Sequence, residues 1–437
     1  MGRKIILVTR SGKNLGAWSF SSIVGVAVAT LFLFQSSLAA AGDLSLQELV
    51  DEALQNSPEI LATQSRAKAA KHRVPQVSSL PDPMLMTGYQ NDGFSGYTYG
   101  DSSDSQWMFS VSQMIPFPGK LSLKGEMTAR EAESLSSSTD TVRFKVVEKV
   151  KTLYYDLAFA YKSIDILRDK SALFSRVEDA ALARYASGMG QQQEILMAQT
   201  EKYMLLEKES MQKQKIQSIE AMLNTTVGRD ANSPLERPAE PSLKPFASSL
   251  EELTQMAFGH SPEIKAKEQM VKAAEAKVSM ARKEYFPDVT FGGTYFSRNS
   301  QEFPDMWSLT ATINVPIFFK TKQDEGVHEA LASLSEAKHE LAATRLMVSS
   351  AMRDNYTMIK TAEHLMGLYQ KALIPKNYQD YELSLAGYTS GKVEAITVIS
   401  TLKSFLDSEL LYWVQLTERE KAIARHEALV GAAGNGS

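Results

Sequence analysis

Apolar side chains alternate with small polar ones in two stretches of the chain that lie about 200 residues apart, at residues 106–115 and 307–317. The apolar members are Trp107, Phe109, Val111 and Ile115 in the first stretch and Trp307, Leu309, Ala311, Ile313, Val315 and Ile317 in the second. In the second stretch the opposite face carries only serine, threonine and asparagine up to Asn314. A period of two residues predicts β-strands with one apolar and one polar face.

Each alternating stretch follows a shorter strand-like segment, at residues 84–90 and 289–297. The residues between the members of each pair are rich in glycine, serine, aspartate and asparagine, a composition typical of turns and loops. The sequence therefore predicts two β-hairpins, at about residues 83–116 and 288–317.

Behind each hairpin the apolar period changes to steps of three and four, which is typical of a helix. The predicted long helices cover residues 121–187 and 322–388, and each reaches about 100 Å at ~1.5 Å per residue. Apolar residues one heptad apart favour coiled-coil-like packing. Gly326, Gly367 and Pro375 make the second long helix the one expected to bend or break.

Short sequences recur in the same order in the two halves, which indicates an internal duplication. Ser-Pro-Glu-Ile at residues 57–60 returns at 261–264, and Tyr-Ala-Ser-Gly at 185–188 returns as Tyr-Thr-Ser-Gly at 388–391. In both copies of the first sequence, the proline suits the first position of a helix. Because the period is far too long for a solenoid, the chain reads as two tandem copies of one structure.

The duplication divides the chain into two repeats joined by a proline-rich linker. The predicted segments are a first repeat at residues 42–229, a linker at 230–249, a second repeat at 250–430 and a flexible tail at 431–437. Return helices are predicted at residues 191–227 and 393–430. In each repeat, one short helix and the return helix together match the length of the long helix, so we expect them to stack end to end along it.

The N-terminus is predicted to be a secretory signal peptide, residues 1–41, since basic residues precede a short apolar run and three alanines. A membrane anchor is the alternative for this segment. The chain of 437 residues contains no cysteine, which excludes disulfides and thiolate metal sites. Its 47 Lys and Arg nearly balance its 51 Asp and Glu, so nothing in the net charge points to nucleic acid.

The alternating strands allow two interpretations. A half-buried strand in a soluble sandwich is one; a strand that crosses a membrane is the other, because a tilted crossing needs about 9–11 residues and an uncharged small polar face suits a water-filled lumen. Four strands cannot close a barrel, and an open edge in lipid leaves backbone groups unpaired. A membrane interpretation therefore requires several chains to share one barrel. Its lipid-facing side chains are then Trp307, Leu309, Ile313 and Val315.

The whole mature chain resembles the TolC-like outer membrane efflux protein family in its duplication, hairpins, long helices and glycine turns. Residues 80–84 (Leu-Pro-Asp-Pro-Met) and 113–120 (Gln-Met-Ile-Pro-Phe-Pro-Gly-Lys) resemble signatures of its heavy-metal and cation branch. The resemblance implies a mainly helical fold with a small β part, in which a homotrimer forms a twelve-stranded barrel in outer membrane lipid and a twelve-helix periplasmic tunnel. It also implies two partners, a periplasmic adaptor and an inner membrane pump of the RND type.

The resemblance also suggests site residues at the ends of the long helices. Gly188 and Gly391 match tip glycines that contact the adaptor, and Tyr388 matches a tyrosine at the inner side of a periplasmic gate. Glu194 lies where some members carry an aspartate that bonds across neighbouring coils. Two interpretations stay open: Tyr388 donates a hydrogen bond to Glu194 across the tips, or both are unpaired, solvated tip residues. The chain departs from members with two aspartates beyond the second tip, because it has Thr397 and Ser400 there, with Glu394 nearby.

The predicted function is a passive outer membrane efflux duct for heavy-metal cations, with no catalytic residue and no cofactor. A general drug duct, a type I protein secretion duct and a soluble coiled-coil periplasmic adaptor are the alternatives. No His-Glu-x-x-His, Gly-x-Ser-x-Gly or Walker A sequence occurs, so no enzyme class is indicated. Met189 and the strand residues Met84, Met86, Met108 and Met114 admit copper binding, although methionine is also an ordinary gap filler.

Overall fold

The computed structural model describes residues 44–241, 243–299 and 301–431. The predicted signal peptide and the predicted tail beyond residue 431 lie outside these ranges. The first repeat contains helices α1 (Leu46–Asn56) and α2 (Pro58–Ser78), strands β1 (Met84–Gln90) and β2 (Gln106–Ile115), and helices α3 (Lys120–Ala186) and α4 (Gln192–Val227). The second contains α5 (Leu250–His260), α6 (Pro262–Lys283), β3 (Val289–Ser297), β4 (Met306–Ile313), α7 (Gln323–Leu368), α8 (Ile374–Thr389) and α9 (Ala395–Val430). The expected fold class, mainly helical with four antiparallel strands, is confirmed.

The long helix α3 is the element against which most of the other helices pack. Helices α2, α4, α6 and α9 all pack along it. Helix α7 in turn packs against α6 and α9, and α8 packs against α9. One long helix therefore supports the stacked short helices of both repeats.

A glycine closes each joint where two stacked helices meet end to end. Gly228 ends α4 with φ +93°, and a Cβ there would lie 2.6 Å from the carbonyl oxygen of Asn56. Gly431 ends α9 with φ +75°, and a Cβ there would lie 2.9 Å from Pro262. Only glycine combines a left-handed backbone with so close an approach. The two joints are repeat equivalents, so the duplication preserves the stacking geometry.

The second long helix is interrupted where proline was expected to disturb it. A wide helical turn over Tyr369–Leu373 separates α7 from α8, with the N–H of Ile374 donating to the carbonyl of Tyr369. Pro375 follows at once and has no N–H to donate to the carbonyl four residues before it, so the chain accommodates it by widening the turn. Gly326 and Gly367, also named as possible breaks, both remain within α7.

The four strands form one antiparallel sheet in the order β1-β2-β3-β4. Neighbouring strands align Thr87 with Phe109, Phe109 with Tyr295, and Tyr295 with Trp307, so these aromatic residues share a face. The register thus extends across the two repeats, because β2 pairs with β3. Strands β1 and β4 each have one edge without a partner strand among the described residues.

Strand β4 is shorter than the sequence pattern suggests, which corrects one predicted site residue. The strand ends at Ile313, so Val315 lies beyond it and is not part of the sheet. Pro316 cannot donate to a neighbouring strand, and the N–H of Ile317 turns back to the carbonyl of Val315 at 2.9 Å. The alternation of apolar residues therefore continues past the point where backbone pairing stops.

Charged residues are spread along the helices and link them to one another. Lys151 pairs with Glu427, Lys421 with Asp156, and Lys170 with Glu409, each pair joining α3 to α9. In the described ranges, no helix is both long enough and apolar enough to cross a membrane.

A buried histidine marks the contact between α9 and the linker. His426 is 5% exposed, its ring packs edge to face on Phe246 at 5.9 Å, and its Nε2 has no hydrogen-bond partner among the described residues. Burial lowers the pKa of His426 to about 4 from its usual 6.5, because the charged ring loses its solvation there. The folded chain therefore holds this imidazole neutral.

We expect acid to destabilise the fold through His426. The unfolded chain takes up this proton below about pH 6.5 and the folded chain only near pH 4, so stability falls as the pH drops through that window. Between about pH 7.5 and about pH 5 the loss is about 2 kcal/mol. His426→Phe should reduce the fall in melting temperature of the purified protein across this range. An exposed-site control, His364→Phe, should keep the wild-type pH dependence; equal curves for all three proteins would contradict this assignment.

Candidate functional site at the helix tips

Each long helical column ends in the same hydrogen-bonded turn. At the first tip, the N–H of Met189 donates to the carbonyl of Arg184 at 2.9 Å, and Gly188 has φ +75°. At the second, the N–H of Lys392 donates to the carbonyl of Gly387 at 2.8 Å, and Gly391 has φ +76°. These are Schellman turns, in which a left-handed residue lets the chain reverse after a helix. The geometry explains the repeated glycine without any reference to a partner.

The two tips lie against each other, because four helix ends share one apolar core. Side chains of α3, α4, α8 and α9 pack together there, among them Phe174, Ala198, Tyr388 and Val398, all fully buried. The ends of α3 and α8 thereby bring the end of the first repeat into contact with the end of the second.

Tyr388 and Glu194 are hydrogen-bonded, which is the first of the two interpretations that the sequence left open. The Tyr388 hydroxyl donates to Glu194 Oε2 at 2.8 Å, joining α8 to α4. Burial raises the pKa of Tyr388 far above its usual 10, and the Glu194 carboxylate raises it further. The hydroxyl therefore keeps its proton at every physiological pH. A hydrogen bond from a neutral donor to a shielded carboxylate contributes about 1.5–3 kcal/mol.

Arg184 is the central residue of the tips, and the sequence analysis did not identify it. Its Nη1 donates to the carbonyl of Tyr388 at 2.5 Å and its Nη2 donates to the carbonyl of Met189 at 2.9 Å. Its guanidinium carbon also lies 4.7 Å from the centre of the Tyr388 ring. One planar cation thus binds both glycine turns and the face of the tyrosine at once, a geometry that only arginine provides.

The sequence feature that could have identified Arg184 is a difference between the two repeats rather than a similarity. The residue before the repeated tyrosine is arginine in the first repeat and Gly387 in the second. A Cβ at Gly387 would lie 2.6 Å from Cγ2 of Val393, so no side chain fits there. The first tip therefore supplies the long side chain and the second supplies the carbonyl that it binds.

The remaining candidates lie on the exposed start of α9. Glu394 is the residue before the helix, and Thr397 and Ser400 follow at steps of three, all three exposed. The Ser400 hydroxyl donates to the carbonyl of Thr397 at 2.8 Å. The structure therefore places these residues at the second tip, outside the buried contact between Tyr388 and Glu194.

No cluster of three or more His, Cys, Asp or Glu side chains suited to a metal ion occurs among the residues that the structure describes. The tips instead contain a structural contact. A buried tyrosine, a carboxylate and an arginine join the helical hairpin of one repeat to that of the other. A duplicated chain of long helices with strands at one end and paired turns at the other defines a class of membrane channel proteins.

The chain belongs to the outer membrane efflux protein family, whose model matches residues 49–229 and 253–432. It is 24% identical to the pyoverdine export outer membrane protein OpmQ of Pseudomonas putida, with 88% of this chain and 86% of OpmQ aligned. It is 19% identical to the cobalt-zinc-cadmium resistance protein CzcC of Cupriavidus metallidurans, over 90% of this chain and 91% of CzcC.

A solved structure shows the same fold. The crystal structure of the outer membrane protein VceC from Vibrio cholerae superposes with a TM-score of 0.75 at 16% identity, covering 89% of this chain and 96% of that chain. The protein is therefore an outer membrane channel of a Gram-negative cell with a helical periplasmic extension, and not an enzyme. TolC-like channels are trimers that work with adaptors and inner membrane pumps.

Arg184→Lys should loosen the contact between the tips. A lysine ammonium cannot bind both carbonyls and lie flat on the Tyr388 ring, so we expect a loss of about 1 kcal/mol, or about fivefold faster exchange of the amide hydrogens in residues 387–392. Hydrogen exchange read by mass spectrometry on the purified protein measures this. The control is Arg176→Lys, which alters an exposed pair with Glu382 at 3.3 Å and should leave the tips unchanged. Unchanged exchange in Arg184→Lys would show that Arg184 does not hold the turns.

Proposed function

We propose that three copies of this chain form a passive duct through which an inner membrane pump, reached by a periplasmic adaptor, expels heavy-metal cations. The single observation that supports the shared assembly is the open sheet, because β1 and β4 each leave one backbone edge unpaired. Backbone groups without partners are too costly in hydrocarbon to persist there. Three four-stranded sheets joined edge to edge satisfy them all.

The two faces of the sheet differ in polarity, which indicates how the sheet is oriented between lipid and lumen in the proposed assembly. Trp307, Leu309 and Ile313 lie on one face of β4 and are all more than half exposed, whereas the opposite face carries Ser308, Thr310 and Thr312. In the assembly the apolar face contacts lipid and the hydroxyl face lines the lumen. Val315 lies just past the strand and contacts lipid from the turn that follows it.

In this proposal the tip turns bind the adaptor. A Cβ at Gly188 would meet no atom of the described residues within 4 Å, which supports a turn whose outer surface is open to a partner. Met189 beside it is 69% exposed. The Schellman turns present backbone at the far end of rods about 100 Å long, where only a periplasmic partner would meet them.

The same tips are proposed to close the duct at rest. The hydrogen bond from Tyr388 to Glu194 holds the end of the second repeat against the first, and Glu394, Thr397 and Ser400 lie on the exposed side of that end. Separating the tips exposes Tyr388, which is fully buried in this arrangement. The burial of Tyr388 and its hydrogen bond therefore stabilise the closed arrangement of the tips and not the open one.

Removing the contact should open the channel. Tyr388→Phe combined with Glu194→Gln deletes the charge-assisted bond, and we expect the open probability of purified trimers in planar bilayers to rise by about tenfold or more. Tyr185→Phe is the matched control, since it removes the equivalent hydroxyl of the first repeat from a half-exposed ring. A double variant that conducts no better than the wild type and the control would mean that this pair does not hold the gate.

Two observations support metal cations as the cargo. The signatures at residues 80–84 and 113–120 resemble those of the cation branch, and CzcC aligns over nine-tenths of both chains. An organic cargo is the second candidate, favoured by the similarity to a pyoverdine exporter at somewhat higher identity. Because the wall of a passive duct meets whatever the pump delivers, the cargo is a property of the whole assembly.

A deletion strain decides between these cargoes. We expect it to become sensitive to copper, silver, zinc, cobalt or cadmium, with growth restored by the wild-type chain. Sensitivity confined to dyes and detergents would favour the organic cargo.

The same strain tests the second tip turn. Gly391→Val should assemble trimers but fail to restore growth, since a β-branched residue does not tolerate the left-handed turn at φ +76°.

A further inference from the structure

Five methionines of the strands lie on the same face of the sheet. The register aligns Met86 with Ser110, Ser110 with Thr294, and Thr294 with Ser308, so this face is the hydroxyl face described above. Residues an even number of positions away along each strand share it. The methionines on it are Met84, Met86, Met108, Met114 and Met306, which we call the methionine face. No strand residue on this face is charged.

Four of these methionines form two diagonal pairs between β1 and β2. Met84 lies opposite Ser112, two positions from Met114, and Gly88 lies opposite Met108, two positions from Met86. Diagonal neighbours on one face of a strand pair are about 7–8 Å apart, within reach of long side chains. Each pair can therefore bring two thioether sulfurs to one point above the sheet.

Gly88 makes room for the second pair. A Cβ at Gly88 would lie 3.4 Å from the terminal methyl of Met108, so the Met108 side chain extends from β2 across β1. A larger residue at this position would displace it. The register and this contact together direct Met108 toward the strand that carries Met86.

The exposure of these side chains argues against a packing role. Met84 is 63% exposed, Met86 57% and Met306 43%, and Met108 and Met114 are half-buried, so none of the five lies in a buried core. Met84, Met86 and Met114 lie opposite hydroxyl-bearing residues (Ser112, Ser110 and Thr290), whereas Met108 and Met306 both lie opposite Phe296. The hydroxyl groups bond to one another or to the backbone, such as Thr294 Oγ1 to Ser110 Oγ at 3.1 Å. In the assembled duct, water-facing methionines would expose apolar surface for no structural gain.

We propose that the methionine face binds soft monovalent metal cations, Cu(I) or Ag(I), as they leave through the lumen, with one ion held between Met84 and Met114 and one between Met86 and Met108. This inference rests on the proposed function, since it places the face in the lumen and names the cargo class. Thioether sulfur is a soft ligand that selects Cu(I) over hard cations and keeps this preference without a charge. Two neutral ligands bind the ion weakly enough to release it, which conduction requires.

Silver is the probe, because Ag(I) needs no reductant. The purified trimer is titrated with silver nitrate in chloride-free buffer by calorimetry, and X-ray absorption at the silver edge reports the bound atoms. We expect sulfur coordination and one silver ion per methionine pair. Met84→Leu with Met86→Leu removes one ligand from each pair and should weaken binding by more than the roughly 10-fold that loss of an outer-shell partner costs at metal sites.

The matched control is Met211→Leu with Met222→Leu, which removes two exposed thioethers from α4 and should bind silver like the wild type. Equal silver affinity in the strand variant and the wild type overturns the proposal, as does coordination by oxygen and nitrogen alone. Failure of the duct itself has a different signature, because neither wild-type trimers nor the Tyr388→Phe, Glu194→Gln variant would then conduct in bilayers, a measurement made without silver.

Discussion

A strand placed in hydrocarbon must have both edges hydrogen-bonded, and this constraint shapes the whole molecule. Each repeat supplies one hairpin, and β2 pairs with β3 to join the hairpins into a single sheet. The sheet still ends at β1 and β4, so the chain is incomplete by itself in a bilayer. The helices continue away from the sheet, and α3 supports the stacked helices of both repeats.

Duplication supplies two equivalent tips, and small differences between them create a contact that neither has alone. Both end in a Schellman turn, but the first carries Arg184 where the second carries Gly387. The ring of Tyr388 is fully buried, whereas its equivalent Tyr185 is half exposed. Pro375 and the widened turn before it occur only in the second repeat. In the proposed gate the second repeat thus contributes Tyr388, and the first repeat provides the arginine and the carboxylate that bind it.

The proposed lumen is selective by softness rather than by charge. A ring of carboxylates would attract every cation, whereas thioethers discriminate by polarisability. The absence of carboxylates at Thr397 and Ser400 and the methionines on the sheet are consistent with this difference in design. The missing carboxylates and the methionines both fit a duct whose pump has already selected the cargo. Such a duct needs only to release the metal ion and not to select it again.

The sequence by itself determined every feature that depends on local periodicity. The alternation at residues 307–317 predicted the strand and its two faces, and the repeated glycine after Tyr185 and Tyr388 predicted the turns, because a left-handed residue is a local requirement. Features that depend on which segments meet were decided by the tertiary structure. Strand β4 ends at Ile313 because pairing with β3 stops there, although the apolar alternation continues to Ile317. In the sequence Arg184 looks like an ordinary helix residue, and its role follows only from its contact with the second tip. The methionine pairs likewise follow only from the register of β1 on β2. Contacts between residues far apart in the chain are set by packing and register, which a periodic pattern does not encode.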